Sequence, residues 1–462
     1  MLKFIFQHKD TEILILLFIG VLMGALDISI VGPAIPSIEK TIHVEPRALG
    51  WIFSIYVLLQ LTGIPLFAKL SDIFGRRNIY ALSVGIFGLG SLVVVFSHYY
   101  SILLLGRAIQ GFGASGIFPI ALAVIGDVFP PEKRGSALGM IGAVFGIAFI
   151  VGPILAGTLL AFFPWNSLFL INVPIAVGLI IASLKLLPSE KIISDKKLDI
   201  TGVILLGALL TCFAIGLNNI EPNNFTASLS SLRVYPYLTG SVILFISFIL
   251  LEKKTKHPIV KIEMFYALQI RLVGIIAIGT GIFQSSVIFI PNFAVNMFNI
   301  NSSKASFMLL PVVLASAVGS PVSGRFLDKI GSRIVVLSGL VISAAAIFSM
   351  SLVNSNIIHF YFSGAFLGIG ISMLMGPPLR YIMLNEVPPQ DRALTQGMLA
   401  LFISVGQITG SALISVIIAS GNTNISGYKS AFLSLSFLML FLLSFAYFLK
   451  NRQKELETIR KK

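Results

Sequence analysis

The sequence contains little charge and almost no cysteine. Only 11% of its 462 residues are charged, and Cys212 is the single cysteine. One cysteine excludes an intramolecular disulfide and a cysteine metal cluster. With 56% hydrophobic residues, the chain has too little polar surface to cover a soluble globule of this length. The composition therefore predicts an integral membrane protein, and we expect no metal site.

Ionisable residues are scarce inside the apolar stretches. Of the 19 acidic residues only Asp27 lies in the middle of such a stretch, and the five histidines lie at edges or in loops. We count Arg107 as the one clearly embedded cation. The chain has no embedded histidine, no pair of carboxylates and no cofactor motif, so we expect neither an enzyme nor any catalytic residue.

Long apolar stretches alternate with short polar breaks along the whole chain. A hydrocarbon core of about 30 Å needs roughly 20 apolar residues per helix. We therefore predict an all-α integral membrane protein with fourteen transmembrane helices. The predicted spans are 12–36, 48–68, 79–97, 101–126, 136–163, 167–187, 199–218, 234–251, 270–295, 304–324, 333–353, 357–382, 393–420 and 428–449.

The basic residues predict the orientation of these spans. Most of the 33 Lys and Arg residues lie in the N-terminal segment, the even-numbered loops and the C-terminal tail. Because cytoplasmic loops are enriched in Lys and Arg, both termini are predicted to be cytoplasmic. Anionic lipid headgroups attract such loops, which accounts for the net charge of +14 without nucleic-acid binding. We expect a multi-pass protein of the bacterial cell membrane.

Two short patterns occur twice. Residues 68–77 read AKLSDIFGRR and residues 324–333 read GRFLDKIGSR, while VFPPEKRGSALG at 128–139 matches EVPPQDRALTQG at 386–397. Two membrane-embedded halves built on one plan are typical of secondary transporters. We predict a 6+2+6 arrangement. Its parts are an N-terminal six-helix bundle (1–190), two inserted transmembrane helices with cytoplasmic linkers (191–262), a C-terminal six-helix bundle (263–450) and a cytoplasmic tail (451–462).

Asp27 and Arg107 are predicted to meet. Asp27 lies about 15 Å and Arg107 about 10 Å from the outer ends of their spans, at the helical rise. A neighbouring guanidinium favours the charged carboxylate while desolvation disfavours it, so the pair is sensitive to water or ligand entry. We favour a proton switch in a water-accessible vestibule between the halves. The alternative is a static ion pair that locks the two spans together.

The fifth span is rich in small residues at helical spacing. In lipid such residues let two helix backbones approach closely, and a glycine-proline pair permits a kink. We interpret the span as a bendable helix at a moving interface, and the alternative is a helix that is merely packed. The residues are Gly135, Gly139, Gly142, Gly146, Gly152, Pro153 and Gly157.

These motifs resemble the major facilitator superfamily, and within it the fourteen-span drug:proton antiporter branch of multidrug, tetracycline and quaternary-ammonium efflux proteins. The resemblance covers essentially the whole chain. The family's loop motif G-x-x-x-D-x-x-G-R-R/K matches between spans two and three, except that Ala68 replaces its first glycine. The motif R-x-x-Q-G-x-G-A matches in span four, and the antiporter motif, which ends in G-P-x-x-x-G, matches in span five. The matching residues are Asp72, Gly75, Arg76 and Arg77; Arg107, Gln110, Gly111, Gly113 and Ala114; and Gly146, Gly152, Pro153 and Gly157.

The resemblance implies a proton-coupled exporter that works by alternating access, driven by the proton gradient and without any cofactor. It implies that Asp27 and Arg107 couple the protons. A cytoplasmic gate would be formed by Asp72, Gly75, Arg76 and Arg77 together with Asp328 and Arg333 of the second copy. The expected partners are the lipid bilayer, a small-molecule substrate and protons, and we expect a monomer.

The substrate is predicted only as a class. Span thirteen lacks an acidic residue, and one embedded carboxylate favours exchange of one proton for a monocationic or neutral amphiphile such as a drug or biocide. The alternatives are an exporter or flippase of a lipid, siderophore or metabolite on the same fold, and a sensor that transports nothing. Six uncharged polar residues lie in the spans and can either line the substrate cavity or form hydrogen bonds from helix to helix. They are Gln60, Gln110, Asn172, Gln284, Asn292 and Asn296.

Overall fold

The computed structural model of the chain describes residues 8–42, 46–188, 199–221, 224–255, 258, 260, 262–300, 302–354, 356–421 and 423–460. These residues form helices and their connections, with no strand among them. The predicted linker between the sixth and seventh spans falls on residues 189–198, which lie outside the described residues.

In the part of the chain that the structure describes, seven helices make up the N-terminal part and three follow in the middle. They are α1 (His8–Ile42), α2 (Pro46–Phe74), α3 (Arg76–Val95), α4 (Tyr100–Val128), α5 (Pro131–Leu160), α6 (Ser167–Leu170), α7 (Asn172–Leu186), α8 (Ile200–Asn218), α9 (Phe225–Leu229) and α10 (Tyr235–Lys254).

From residue 262 onwards, the described residues form ten helices and three short 3-10 turns, the latter at Ile262–Tyr266, Ser286–Phe289 and Pro389–Asp391. They are α11 (Leu268–Ser285), α12 (Ile290–Phe298), α13 (Ser302–Phe307), α14 (Leu310–Ile330), α15 (Ser332–Ser351), α16 (Ile357–Met375), α17 (Pro377–Glu386), α18 (Arg392–Ala419), α19 (Asn424–Ala446) and α20 (Arg452–Arg460).

Within the described residues, fourteen segments are long and apolar enough to cross a membrane, which confirms the predicted number. Four of them are composite: α6 with α7, α11 with α12, α16 with α17, and the 3-10 turn Pro389–Asp391 with α18. The twelfth segment reaches Glu386, four residues beyond the predicted end. It is interrupted where Pro377 and Pro378 follow Gly376, because a proline cannot donate the backbone hydrogen bond that would continue α16.

Two separate apolar cores hold the bundle together. One joins buried residues of α1, α3, α4 and α5, and the other joins α11, α15, α16, α18 and α19. In the second core, the ring of Phe293 packs edge-on against Phe432, with centroids 5.2 Å apart. Each core is drawn mainly from one half, but the first also includes Leu327, Val335, Tyr381 and Leu384 of the C-terminal half.

The middle helices α8 and α10 pack against each other. Helix α8 also contacts α2 and α18, one helix from each half, through a cluster that includes Leu61, Leu206 and Leu401. The pair thus lies along the boundary between the halves. The 6+2+6 division of the chain stays a prediction.

The two halves meet closely at one end of the bundle. We call this the tail end, because α20 lies there, beside residue 328 and residues 331–332. An even number of crossings brings the start of α1 to this end as well. Helices α5 and α14 touch through their backbones: a Cβ on Gly324 would lie 2.3 Å from the carbonyl oxygen of Gly135. Towards the other end, Gly24 and Gly32 of α1 face open space.

Candidate functional site

Asp27 and Arg107 are in contact inside the N-terminal half. Nη1 of Arg107 on α4 lies 2.5 Å from Oδ2 of Asp27 on α1. Neither side chain has any exposed surface. Arg107 Nε also donates to the backbone oxygen of Ile52, at 3.2 Å. The predicted meeting of the two charges is confirmed. The prediction that a water-accessible vestibule surrounds them is wrong for this conformation, because packed helices seal the pair on every side.

Two amides complete the hydrogen bonding of Asp27. Gln110 Nε2 and Asn172 Nδ2 both donate to Asp27 Oδ1, each at 2.9 Å, and Gln110 Oε1 accepts from Arg107 at 2.8 Å. The same two amides donate to the hydroxyl of Ser91 on α3. Of the two alternatives left open for Gln110 and Asn172, the structure shows the bond from helix to helix, since both are buried and directed at the carboxylate.

Aromatic rings and glycines explain how a charge pair fits into this bundle. The guanidinium of Arg107 lies 4.4 Å from the ring centroid of Tyr56 on α2 and 5.7 Å from that of Phe169. A Cβ on Gly111 would lie 2.2 Å from the backbone oxygen of Tyr56, and one on Gly113 would lie 2.4 Å from a backbone nitrogen of α3. The glycines of R-x-x-Q-G-x-G-A therefore let α2, α3 and α4 close around Arg107.

At the tail end, the first copy of the repeated loop motif reaches across the halves. Arg76 forms an ion pair with Asp72 and donates to Asp127 Oδ2 at 3.1 Å. Its Nη2 donates to the backbone oxygen of Pro389, at 3.0 Å. Asp72 Oδ2 accepts from the backbone nitrogen of Leu394 at the start of α18, at 3.2 Å. This motif thus ties α2 and α3 to the C-terminal half.

The second copy makes the reciprocal contact. Oδ1 and Oδ2 of Asp328 on α14 accept from the backbone nitrogens of Gly135 and Ser136 near the start of α5, both at 2.8 Å. The Ser136 hydroxyl donates to the same carboxylate at 2.6 Å. A carboxylate is favourable at the positive start of a helix. Each half therefore provides one aspartate that binds near the start of a helix in the other half.

The remaining residues of the repeated motif behave differently. Gly75 and Gly331 have φ of 92° and 87°, a left-handed conformation that favours glycine, so the recurring Asp-x-x-Gly pattern marks the same turn twice. The guanidinium of Arg333 lies 4.6 Å from the ring of Tyr447, in its own half. Placing Arg333 in the gate is therefore not supported, because the side chain packs on α19 and the turn that follows it. Arg77 is half-buried beside Arg76.

The antiporter-motif residues divide into two groups. A Cβ on Gly146 would lie 2.5 Å from Cβ of Ala317 on α14, and one on Gly152 would lie 1.9 Å from Oγ of Ser29 on α1. Beyond α5's own backbone, no heavy atom lies within 4 Å of a Cβ placed at Gly157, and Pro153 is exposed. Helix α5 therefore contacts the other half at its tail end and α1 further along.

The other polar cavity candidates are spread through the bundle. Gln284 of α11 accepts from Gln407 of α18 at 2.6 Å, a helix-to-helix bond within one half. Asn296 donates to the backbone oxygen of Asn292, whose side chain is exposed. Gln60 is half-buried on α2. The structure does not bring these four together with Asp27.

The sequence interpretation missed one embedded cation. Arg380 of α17 lies inside the twelfth membrane segment and is only 8% exposed. Its guanidinium lies 4.5 Å from the ring centroid of Phe118 on α4, in the other half. The expectation that Arg107 is the only embedded cation is therefore wrong. Arg380 stands near the end of the predicted twelfth span, where a cation is easily assigned to the adjoining loop.

The C-terminal tail is docked on the tail end of the C-terminal half. Arg452 Nη2 donates to the backbone oxygen of Asp328 at 2.8 Å, and Nη1 donates to the hydroxyl of Tyr381 at 2.9 Å. Glu455 accepts from the backbone nitrogen of Ser332 at 3.2 Å and also from its hydroxyl. The tail thus caps the start of α15 and binds the backbone carbonyl of Asp328.

Docking of α20 is expected to weaken as pH rises. Burial raises the pKa of the Glu455 carboxyl above its ordinary 4.5, as does Glu386, while Ser332 and Arg452 oppose the shift. The docked helix therefore binds more protons than the free tail, so docking is strongest below pH 4.5 and declines as pH rises through the raised pKa. Hydrogen-exchange protection of residues 452–460, corrected for intrinsic rates, measures this effect. Glu455→Gln should make protection independent of pH, and an unchanged slope would contradict the assignment.

Comparisons with known proteins agree on one family. A family model described as the Major Facilitator Superfamily matches residues 17–268 and 272–462. The chain is 32% identical to the "Uncharacterized MFS-type transporter YfiU" of Bacillus subtilis (strain 168), with 90% of this chain and 81% of the relative covered. It is 28% identical to "Multidrug resistance protein 3" of the same organism, at the same coverage. It is 27% identical to the "Riboflavin transporter RibZ" of Clostridioides difficile (strain 630), with 90% of each chain covered.

A solved structure has the same fold. The human organic anion transporter MFSD10 (TETRAN) superimposes with a TM-score of 0.69 at 16% identity, covering 96% of this chain and 100% of the other. At this identity the likeness concerns the arrangement of helices alone.

Proposed function

Because this chain belongs to the major facilitator superfamily, we propose that it is a proton-coupled secondary active exporter of amphipathic small molecules that works by alternating access. The observation that carries the proposal is the sealed cluster around Asp27. A carboxylate held by one guanidinium and two amides is a costly arrangement in a membrane, and such groups mark ion and proton pathways. A static ion pair would also need hydrogen bonds to its remaining lone pairs, so the test below is what separates a proton switch from a structural lock.

A route from Asp27 to the other half runs through two helix contacts. The first contact joins Ser29 of α1, two residues after Asp27, to Gly152 of α5. The second joins Gly135, at the tail end of α5, to Gly324 of α14. Protonation of Asp27 weakens its bond to Arg107 and frees α1 to shift against α4. Because α5 contacts both α1 and α14, this shift changes how tightly the tail end is closed.

The tail end is the cytoplasmic end in this proposal. Lys and Arg are concentrated there, in keeping with the charge bias of cytoplasmic loops. The described conformation is then closed to the cytoplasm, with Asp72 and Asp328 as the reciprocal parts of the gate. The protein acts as a monomer of two six-helix bundles, with α8 and α10 inserted between them. Its location is the cell membrane of a bacterium, a proposal that the bacterial relatives support.

The substrates are amphipathic drugs or biocides, with single exchange of a proton for a monocation or a neutral compound as the starting hypothesis. The relative named as a multidrug resistance protein supports this class. A second candidate is export of a metabolite or lipid on the same fold, which the riboflavin transporter among the relatives favours. Secreted metabolites and membrane lipids of a deletion strain separate the two, because only the second candidate changes them without added drug.

The decisive test is transport by the purified protein in proteoliposomes with an imposed pH gradient. Vesicles with an acidic lumen should accumulate tetraphenylphosphonium, a monocation, or riboflavin, a neutral compound, and should release protons as they do so. Nigericin, which collapses the gradient, serves as the control. Accumulation that is equally fast without a gradient would contradict proton coupling, and no accumulation of any amphiphile would contradict export.

A further inference from the structure

The break in the twelfth membrane segment places a helix start deep in the bundle. Helix α16 ends at Met375 and α17 begins at Pro377, and the backbone nitrogen of Gly376 donates to Ser372. Pro377 and Pro378 have no N–H, so the first donors of α17 belong to the residues that follow. The start of a helix carries partial positive charge. Interrupted membrane helices occur where the backbone is buried in protein or lines a cavity.

Arg380 adds a full positive charge to this helix start. It lies in the first turn of α17, and helical side chains lean towards the N-terminus of their helix. Its Nη1 is buried without a hydrogen-bond partner, and among the described residues no carboxylate contacts the guanidinium. Arg107, by contrast, is paired with Asp27. A buried charge without a partner is unfavourable, which points to a partner that is bound only at times.

The surroundings of Arg380 suit an amphipathic ligand. The ring of Phe118 lies under the guanidinium and packs edge-on against Phe145, with centroids 5.4 Å apart. Gln396 Nε2 donates to the backbone oxygen of Arg380 at 3.0 Å, and its Oε1 is buried without a partner. Arg380 therefore presents an unpaired cationic donor beside an aromatic surface, whereas the oxygen of Gln396 is an acceptor and would serve only a donor group of the ligand.

The position lies between the halves and apart from the proton cluster. Helix α17 contacts α4 and α5 of the other half. Nearer the tail end, Leu384 packs against Gly126 and Asn385 accepts from Arg134 at 2.7 Å. Phe118 follows Arg107 by eleven residues on α4, about 16 Å along the helix. Arg380 thus lies on the inner side of the contacts that close the tail end, where a substrate between the halves comes to rest.

We propose that Arg380 binds the oxyanion of an amphipathic carboxylate, whose apolar body rests on Phe118 and Phe145. This inference deepens the proposed export function and rests on it. An isolated buried guanidinium repels a monocation and binds a carboxylate through two of its N–H groups. Acidic amphiphiles are then preferred to the monocations that the embedded carboxylate alone suggested.

Three probes with one apolar body test the proposal on the full-length protein in detergent: 2-naphthylacetate, 2-naphthylacetamide and 2-(2-naphthyl)ethylammonium. Isothermal titration calorimetry should give at least about tenfold tighter binding of the acetate than of the acetamide. Arg380→Gln should abolish that preference by weakening the acetate while changing the acetamide by less than about twofold. Arg380→Lys should retain part of it, because it keeps the charge and loses the planar fork.

Arg233→Gln is the matched control, since it makes the same change on an exposed side chain between α9 and α10. Thermal unfolding adds an independent readout. Without ligand, Arg380→Gln should melt no lower than the wild type, because it removes an unpaired buried charge. A lower melting temperature with equal losses for acetate and acetamide would identify a structural residue and overturn the proposal. Stronger binding of the ammonium probe, or binding of none of the three, would also overturn it.

The outcome for Arg380 is separable from the proposed function. If the protein transports other amphiphiles along the gradient but shows no preference for the acetate, the carboxylate site is contradicted and the proposed export function stands. If Arg380 is needed to bind the acetate but no compound is transported by the proton gradient, the site stands and the proposed export function is contradicted.

Discussion

Asp27→Asn is expected to reduce gradient-driven transport to the level of empty vesicles. The substitution keeps the shape of the side chain but removes the group that can exchange a proton. It also places an amide NH₂ among the donors of Arg107, Gln110 and Asn172. Breaking a buried pair by removing one partner costs about 3–5 kcal/mol, so the variant should also unfold at a lower temperature. Proteoliposome uptake and thermal unfolding measure the two effects.

The double variant Asp27→Asn/Arg107→Gln separates coupling from folding. It removes the uncompensated guanidinium, so much of the lost thermal stability should return while transport stays absent. Transport that returns together with stability would show that the pair only holds α1 to α4. Wild-type rates in the single variant would exclude Asp27 as the coupling group.

Gly324→Ala is expected to hold the tail end open. The new methyl group would lie 2.3 Å from the backbone oxygen of Gly135, and a helix backbone cannot move aside as a flexible side chain can. Overpacking of this kind costs about 1–3 kcal/mol. Because it acts only where the halves touch, it should shift the balance between closed and open tail ends by roughly 5- to 150-fold. Transport, which needs both conformations, should fall strongly.

Spin labels at Asn78 and Lys329, both exposed at the tail end, report this shift in a Cys212→Ser background. The distance distribution should move to longer values in Gly324→Ala. Gly178→Ala is the matched control, since nothing lies within 4 Å of a Cβ there beyond its own helix. A distance distribution unchanged from the wild type would mean that α5 and α14 accommodate the added methyl group without opening the tail end.

Much of the architecture could be predicted from contiguous residues. The length of each apolar stretch predicts a span, and the two copies of Asp-x-x-Gly predict related halves, in which Gly75 and Gly331 adopt the same turn. The meeting of Asp27 and Arg107 also followed from the sequence. Each residue is alone in its span, and their depths agree, so few other arrangements leave both charges paired.

The partners of the embedded charges were decided by tertiary packing. Gln110 and Asn172 are polar residues in apolar spans, and the sequence does not distinguish a cavity lining from a bond to Asp27 on another helix. Arg380 was overlooked for a related reason. Its isolation depends on α17 lying against α4 of the other half, more than 250 residues away in the chain.

The sequence by itself determined the membrane class, the fourteen spans, the internal repeat and the single embedded carboxylate. These depend on composition and on spacing within one helix. The tertiary structure alone decided that the Asp27 cluster is sealed, that the tail end is the closed end and that no carboxylate of the described residues contacts Arg380. Spans that are apolar on all sides carry no face pattern to say which helix they meet, so contacts between distant helices are settled only when the bundle packs.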